Sequence, residues 1–343
     1  MKPNRGIFLV NLGSPDSTSV ADVRRYLREF LMDERVIDTN PVLRWIVINC
    51  FVLPRRPHNT AHAYQRIWTD RGSPLIATSR NLQQLLQQQT SLPVALGMRY
   101  GNPSIRSGLE NLRAQNPHLE EILLIPLYPH YAMATWETVV IKTKEDLASL
   151  GWNIRLTVLP PFYNQNSYLE ALTTSIREQH HATDYLLFSY HGVPLRHLKQ
   201  EDPTGCHCLA SPNCCQTPST AHASCYRHQC YFTTEQVAKR LSLAPGQHST
   251  SFQSRFGREP WCQPYTDEEL IRLAKSGVKR ISVACPAFVS DCLETLEEIG
   301  MVGKESFLAN GGESFRLITC LNEHPRWVET LRDWSEHFPA NWN

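Results

Sequence analysis

The sequence predicts an α/β fold of two units, each a parallel sheet flanked by helices on both faces. Three observations predict it. Short apolar runs alternate with amphipathic helical segments almost from end to end, the pattern of strands joined by crossover helices. A length of 343 residues suits about two domains of ordinary size. Hydrophobic residues make up 41% and charged residues 20%, enough apolar side chain for a substantial core.

The elements follow in order. Ile7-Phe8-Leu9-Val10-Asn11-Leu12 reads as a buried strand that ends in Gly13-Ser14-Pro15, a ligand-facing loop. Over 20–31, Val20, Val23, Leu27, Phe30 and Leu31 share one helical face. Strands follow at 94–99 and 121–128, with a helix at 105–116 between them, and another strand at 154–158. Pro160-Pro161 marks a crossing, which sets an N-terminal domain at 1–159 and a C-terminal domain at 160–322. The second half repeats the pattern: helix 166–179, strand 185–190, helix 233–241, strand 249–253, helix 267–276, strand 280–284 and helix 291–299. A last amphipathic helix, within 323–343, carries Trp327 and Trp334 and is expected to pack back on the body. Two such units would leave a cleft between them for a large ligand.

Charge excludes one class of partner. Lys plus Arg is 34 against 33 for Asp plus Glu, so no basic excess suits nucleic acid. The first residues run straight into a strand without a separate apolar stretch or cleavage site, so a cytoplasmic, reducing setting is expected. The longest apolar run, Trp45 to Leu53, is too short to span a bilayer, which takes about 20 residues. With Arg55 and Arg56 behind it, the 43–56 segment could lie at a membrane surface or form a core helix.

His191 closes the buried run Tyr185 to Tyr190, and Gly192 and Pro194 stop that run at once. Ligands of open parallel sheets bind outside the carboxyl ends of the strands, where an imidazole can exchange a proton near neutral pH. A helix expected to open at Asp291 places Asp291, Glu294 and Glu298 on one face, at positions i, i+3 and i+7. Such an acidic track toward His191 would raise the proton affinity of its members. A satisfied core histidine and a solvated acidic face are the bland alternatives.

At this point the residues resemble a known family. Leu9-Val10-Asn11-Leu12-Gly13-Ser14-Pro15, Tyr26-Leu27 with Phe30-Leu31-Met32-Asp33, Ile67-Trp68 with Gly72-Ser73-Pro74-Leu75, and Gly97-Met98-Arg99-Tyr100 are similar to ferrochelatase motifs. So are Pro126-Leu127-Tyr128-Pro129, Ser189-Tyr190-His191-Gly192-Val193-Pro194, the block Phe252 to Gly257 with Trp261 and Pro264-Tyr265-Thr266, and Cys285-Pro286 with Asp291 to Glu298. The resemblance implies two Rossmann-like domains, chelatase-like, with the porphyrin in the cleft between them. It implies insertion of ferrous iron into protoporphyrin IX to give protohaem, the last step of haem synthesis. Position by position, His191 and Glu294 match the paired residues that face the metal, and Leu12, Arg99, Tyr100, Tyr128 and Trp261 match positions lining the macrocycle pocket. Coproporphyrin as substrate, or cobalt as the ion, is the near alternative. A carrier without catalysis would lack the base or the carboxylate. A nucleotide-binding dehydrogenase would need a Gly-rich turn that Gly13-Ser14-Pro15-Asp16 does not supply.

Eleven cysteines are present, and six fall between 206 and 230: Cys206, Cys208, Cys214, Cys215, Cys225 and Cys230. Relative to ordinary bacterial relatives, 204–225 resembles an insertion. A cytosolic loop of that thiol density reads as a metal site. Some ferrochelatases carry a [2Fe-2S] centre, which Cys-only ligation suits. Zinc, with or without His207, His222 or His228, and a metal-free loop are the alternatives. Members with a cluster near the C-terminus draw ligands from there, and no cysteine follows Cys320.

Overall fold

A computed structural model describes residues 4–257, 259–340 and 342. The chain forms two compact units. One comprises Met1–Leu127, Met133–Pro160 and Val328–Asn343; the other comprises Tyr128–Ala132 and Pro161–Trp327.

The first unit holds a parallel sheet of β1 (Arg5–Ser14), β2 (Val94–Gly101), β3 (Glu121–Pro126) and β4 (Arg155–Val158), in the order β2-β1-β3-β4. Strand β1 is central and covered on both faces, so Ile7, Phe8, Leu9 and Val10 are all fully buried and the run is continuous rather than alternating. The flanking helices start where the sequence supplies a cap: Ser19 accepts the Asp22 N–H, and Ser104 accepts the Ser107 N–H. At the end of β1 the backbone of Gly13 has φ +106°, and a Cβ there would sit 1.8 Å from Tyr100 O. Only glycine can make that turn.

The second unit repeats the plan with β5 (Tyr185–His191), β6 (His248–Gln253), β7 (Arg280–Ala284) and β8 (Ser314–Leu317), in the order β6-β5-β7-β8. In both sheets the first strand is flanked by the second on one side and the third on the other. The point where the chain switches sides is where open α/β sheets bind ligands, outside the strand ends. The C-terminal end of β5, and so His191, lies there.

Several expectations shift. Strand β8 is short, partly exposed and at the sheet edge, so the sequence carried little signal for it. The helix expected from 233 begins at Tyr226 and runs to Arg240, its first turn hidden in the cysteine-rich composition. Tyr128–Ala132 counts with the second unit, since Phe162 N and Tyr163 N both donate to Pro129 O at 2.9 Å. In the last helix, Pro325–His337, the fully buried Trp327 packs on Phe162 and Tyr168. Beyond it, Phe338 O accepts from Arg5 at 2.9 Å.

The apolar 43–56 stretch is no core helix. It runs through Pro41–Ile46 and a wider π-helical turn, Val47–Val52, to the start of the next helix at Arg56, burying Ile48 and Leu53 but exposing Leu43, Trp45, Ile46 and Phe51. Among the described residues no helix is long and apolar enough to cross a membrane.

Candidate functional site

His191 ends β5 opposite Gln253 at the end of β6. The ring is half-buried, with Trp261 at 6.4 Å and Phe288 at 6.3 Å between centroids. Its Nδ1 lies 2.6 Å from Gly192 O. A carbonyl can only accept, so that bond places a proton on Nδ1, and in the neutral imidazole Nε2 is then the lone-pair nitrogen. Gly192 is needed for closeness: a Cβ there would meet Gln253 O at 3.1 Å and the Trp261 ring at 3.3 Å. Behind the imidazole, Tyr226 donates its phenol to His191 O at 2.8 Å.

The acidic segment differs from its expected geometry. Asp291 precedes the helix. Its buried carboxylate accepts from Thr295 Oγ1 at 3.0 Å, Asn322 Nδ2 at 2.6 Å and the Cys320 N–H at 3.3 Å. Asp291 therefore anchors the start of the helix. The helix itself, Glu294–Gly303, is π-wound before turning α-helical at Lys304–Ala309, a distortion common at functional sites. Glu294 and Glu298 lie on it, and both interact electrostatically with each other.

Glu298 is the electrostatic centre of the group. Burial raises its carboxyl above the ordinary value and Glu294 adds to the rise, while the Ser254 hydrogen bond and the charge of His191 oppose it. Ser254 donates its hydroxyl to Glu298 Oε2 from a backbone at φ +67°, an uncommon conformation for serine. Gln253, fixed by Ser189 Oγ at 2.7 Å, donates to Glu294 O at 2.9 Å and ties the helix to the strand ends. Ser254 and Gln253 belong to a block noticed in the sequence, but their roles follow only from the fold.

The other expected site residues belong some to the first unit and some to the second. In the first unit, Arg99 forms an ion pair with Asp33 and donates to Thr138 Oγ1 at 2.7 Å, while Tyr100 donates to Asp33 at 2.8 Å. Tyr100 is fully buried, so it has no surface to offer a ligand. Burial works against ionisation of Asp33, but hydrogen bonds from Thr138 and the Arg35 N–H and the charge of Arg99 still hold its carboxyl below the usual range. Leu12, half-buried, follows Asn11 near the end of β1. In the second unit Tyr128 is buried, and Trp261, half-buried, donates its indole N–H to Phe256 O at 2.8 Å.

The cysteine-rich loop folds within the second unit. Cys208, Cys214, Cys215 and Cys225 are buried, and Cys206 is exposed. The Cys225 thiol hydrogen-bonds with both Cys208 and Cys215. Arg227 donates to Cys215 Sγ at 3.2 Å and Cys214 Sγ at 3.1 Å. Cys230 is fully buried on the helix beside Tyr226 and Cys262, and also feels Cys215. His207 and His222 both turn to Cys214 O, at 2.8 and 3.2 Å, and His228 to Cys215 O at 2.7 Å. Among the described residues, no group of three or more His, Cys, Asp or Glu side chains is set in metal-holding geometry.

The sequence profile described as Ferrochelatase matches residues 4–337. The Ferrochelatase of Opitutus terrae is 55% identical over 336 residues, 96% of each chain. That of Azotobacter vinelandii is 49% identical over 331 residues, 96% of this chain and 97% of its own. Among solved structures, SirB from Bacillus subtilis with Fe3+ superposes with a TM-score of 0.56 at 12% identity, over 98% of this chain and 96% of that one. At that identity the likeness concerns the fold alone. Matched from its first strand to its last helix, the chain belongs to the ferrochelatase family.

Proposed function

We infer that the chain inserts ferrous iron into protoporphyrin IX, forming protohaem with release of two protons, the last step of haem synthesis. The charge balance of that reaction explains what the site needs. A dication enters as two pyrrole protons leave, so the ring's charge is unchanged, but each step in between must be compensated. His191 is assigned the first task, with Nε2 taking a pyrrole proton. Glu294 and Glu298 are assigned the second. A carboxyl whose proton burial holds more tightly than usual can release it as a cation approaches, and so can pass on either species. The observation that carries the proposal is geometric: His191 ends β5 opposite Gln253, and Gln253 and Ser254 bond Glu294 O and the Glu298 carboxylate at that same strand end.

Leu12, Tyr128 and Trp261 are proposed as apolar contacts of the macrocycle, and Arg99 and Tyr100 as support through Asp33. The protein is taken to act in the cytoplasm, with the exposed face of 41–52 resting on a membrane surface that supplies the greasy substrate. An anaerobic assay of ferrous iron against protoporphyrin and coproporphyrin tests the substrate. Protoporphyrin should turn over faster; a clear preference for coproporphyrin would overturn the assignment.

The loop is proposed to hold a [2Fe-2S] cluster on Cys208, Cys214, Cys215 and Cys225. Four buried thiols that approach one another, with Arg227 donating to two of the sulfurs, suit that group in donor chemistry. The three nearby imidazoles face backbone carbonyls, which favours Cys-only ligation over a mixed zinc site. Such a cluster would stiffen the loop and carry one electron. Cys215→Ser should strip iron and visible absorption from the purified protein while Cys206→Ser keeps both. Equal loss in the two variants, or a zinc-loaded colourless protein, would remove the cluster.

A further inference from the structure

We propose that Tyr226 is the positioning residue that fixes the orientation of His191, and that it couples this imidazole to the cysteine-rich loop. The inference rests on His191 acting as the base. Four observations support it. The phenol of Tyr226 donates to His191 O at 2.8 Å, and the same peptide's neighbour, Gly192 O, receives the imidazole Nδ1. A shift of the peptide at 191–192 would therefore move the acceptor that selects the tautomer. Tyr226 is the first residue of its helix, and the residue before it is Cys225, the thiol that bonds both Cys208 and Cys215. The next residue, Arg227, grips Cys214 and Cys215. On the far side of the same strand end, Cys262 N donates to Val193 O at 3.0 Å, so the turn after His191 is held at two points.

The surroundings keep Tyr226 a donor. It is buried, its ring packs against His130 at 5.9 Å, and His130 is itself buried, with Nε2 3.0 Å from Thr233 Oγ1. A neutral phenol that loses its hydroxyl leaves the ring packing in place, so the bond can be removed with little else disturbed.

Tyr226→Phe in the full-length enzyme is the test, with Tyr190→Phe as control. Tyr190 is a buried phenol of the same cluster whose bond goes to Thr234 at 2.9 Å and not to the His191 peptide. The expected result is a fall of about fivefold in kcat, the size of one lost hydrogen bond, with KM for protoporphyrin unchanged. The ring-nitrogen NMR shifts of His191 should move from an Nδ1-protonated tautomer in the wild type to a mixture in Tyr226→Phe alone. Wild-type kcat and an unaltered tautomer in folded Tyr226→Phe would overturn the proposal. An identical change in Tyr190→Phe would reduce it to general loosening of the core. If His191→Ala itself keeps full turnover, the reading of His191 as base fails instead, and the tautomer measurement still reports whether Tyr226 positions the ring.

Discussion

Ser254 and Glu298 meet across the strand end, the serine hydroxyl donating to the carboxylate from a left-handed backbone conformation. The pair sets how tightly Glu298 holds its proton, since that bond opposes the rise that burial imposes.

Removing the carboxylate has a pH signature. A carboxyl raised on folding makes the native state bind protons more tightly than the unfolded chain. Its destabilising effect therefore appears as pH rises through the ordinary carboxylate range toward the folded value, and is absent below. Glu298→Gln should be more stable than wild type at pH 7, by about 1 kcal/mol, and no more stable at pH 4. Turnover should fall at the same time. Thermal melts at the two pH values check this; an equal difference at both would contradict it.

Substitution of Ser254 separates strain from hydrogen bonding. Alanine and glycine both lose the bond to Glu298, but only glycine adopts φ +67° freely. Ser254→Gly should be about 1 kcal/mol more stable than Ser254→Ala, with the two equally slow in iron insertion. Urea unfolding and initial rates together decide it, and equal stability would place no strain at this position.

Asp33 carries the opposite sign. Its carboxyl is held low in the native state, so its stabilisation is present above the unfolded value and is lost as pH falls through the folded one. The side chain is 4% exposed and paired with Arg99. Asp33→Asn should cost about 3 kcal/mol at neutral pH because it leaves a guanidinium half-buried without its partner. A stability curve that is unchanged at pH 7 would show the pair to be inert.

Asp291 and Glu294 should part company. Asp291→Ala removes three hydrogen bonds from the head of the π-helix and should cost about 2 kcal/mol of stability, with turnover per folded molecule mostly retained. Glu294→Ala should do the reverse, lowering turnover at near-native stability. Comparison of active-site-normalised rates with melting temperatures settles the division.

Much of this is legible in the sequence. The two sheets, their parallel strands and the position of His191 follow from apolar runs that stop at Gly192 and Pro194. Local pattern does not show that the acidic helix is π-wound and begins only after Asp291, because the i, i+3, i+7 spacing presupposes a regular 3.6-residue period. Nor could it show Tyr226 reaching His191, a contact across 35 residues that depends on how the cysteine loop folds back. Arg99 and Tyr100 lay in a motif, but their engagement with Asp33 is a tertiary fact. Composition left the 43–56 segment open between a core helix and a surface one, since hydropathy does not say which side of a helix meets protein.

The most direct measurement is a single-turnover experiment in which enzyme already loaded with protoporphyrin is mixed anaerobically with ferrous iron, and the porphyrin spectrum is followed. Wild type should convert to the protohaem spectrum, while His191→Ala should bind the porphyrin equally well and leave it metal-free. Conversion at the wild-type rate in that variant would contradict the account.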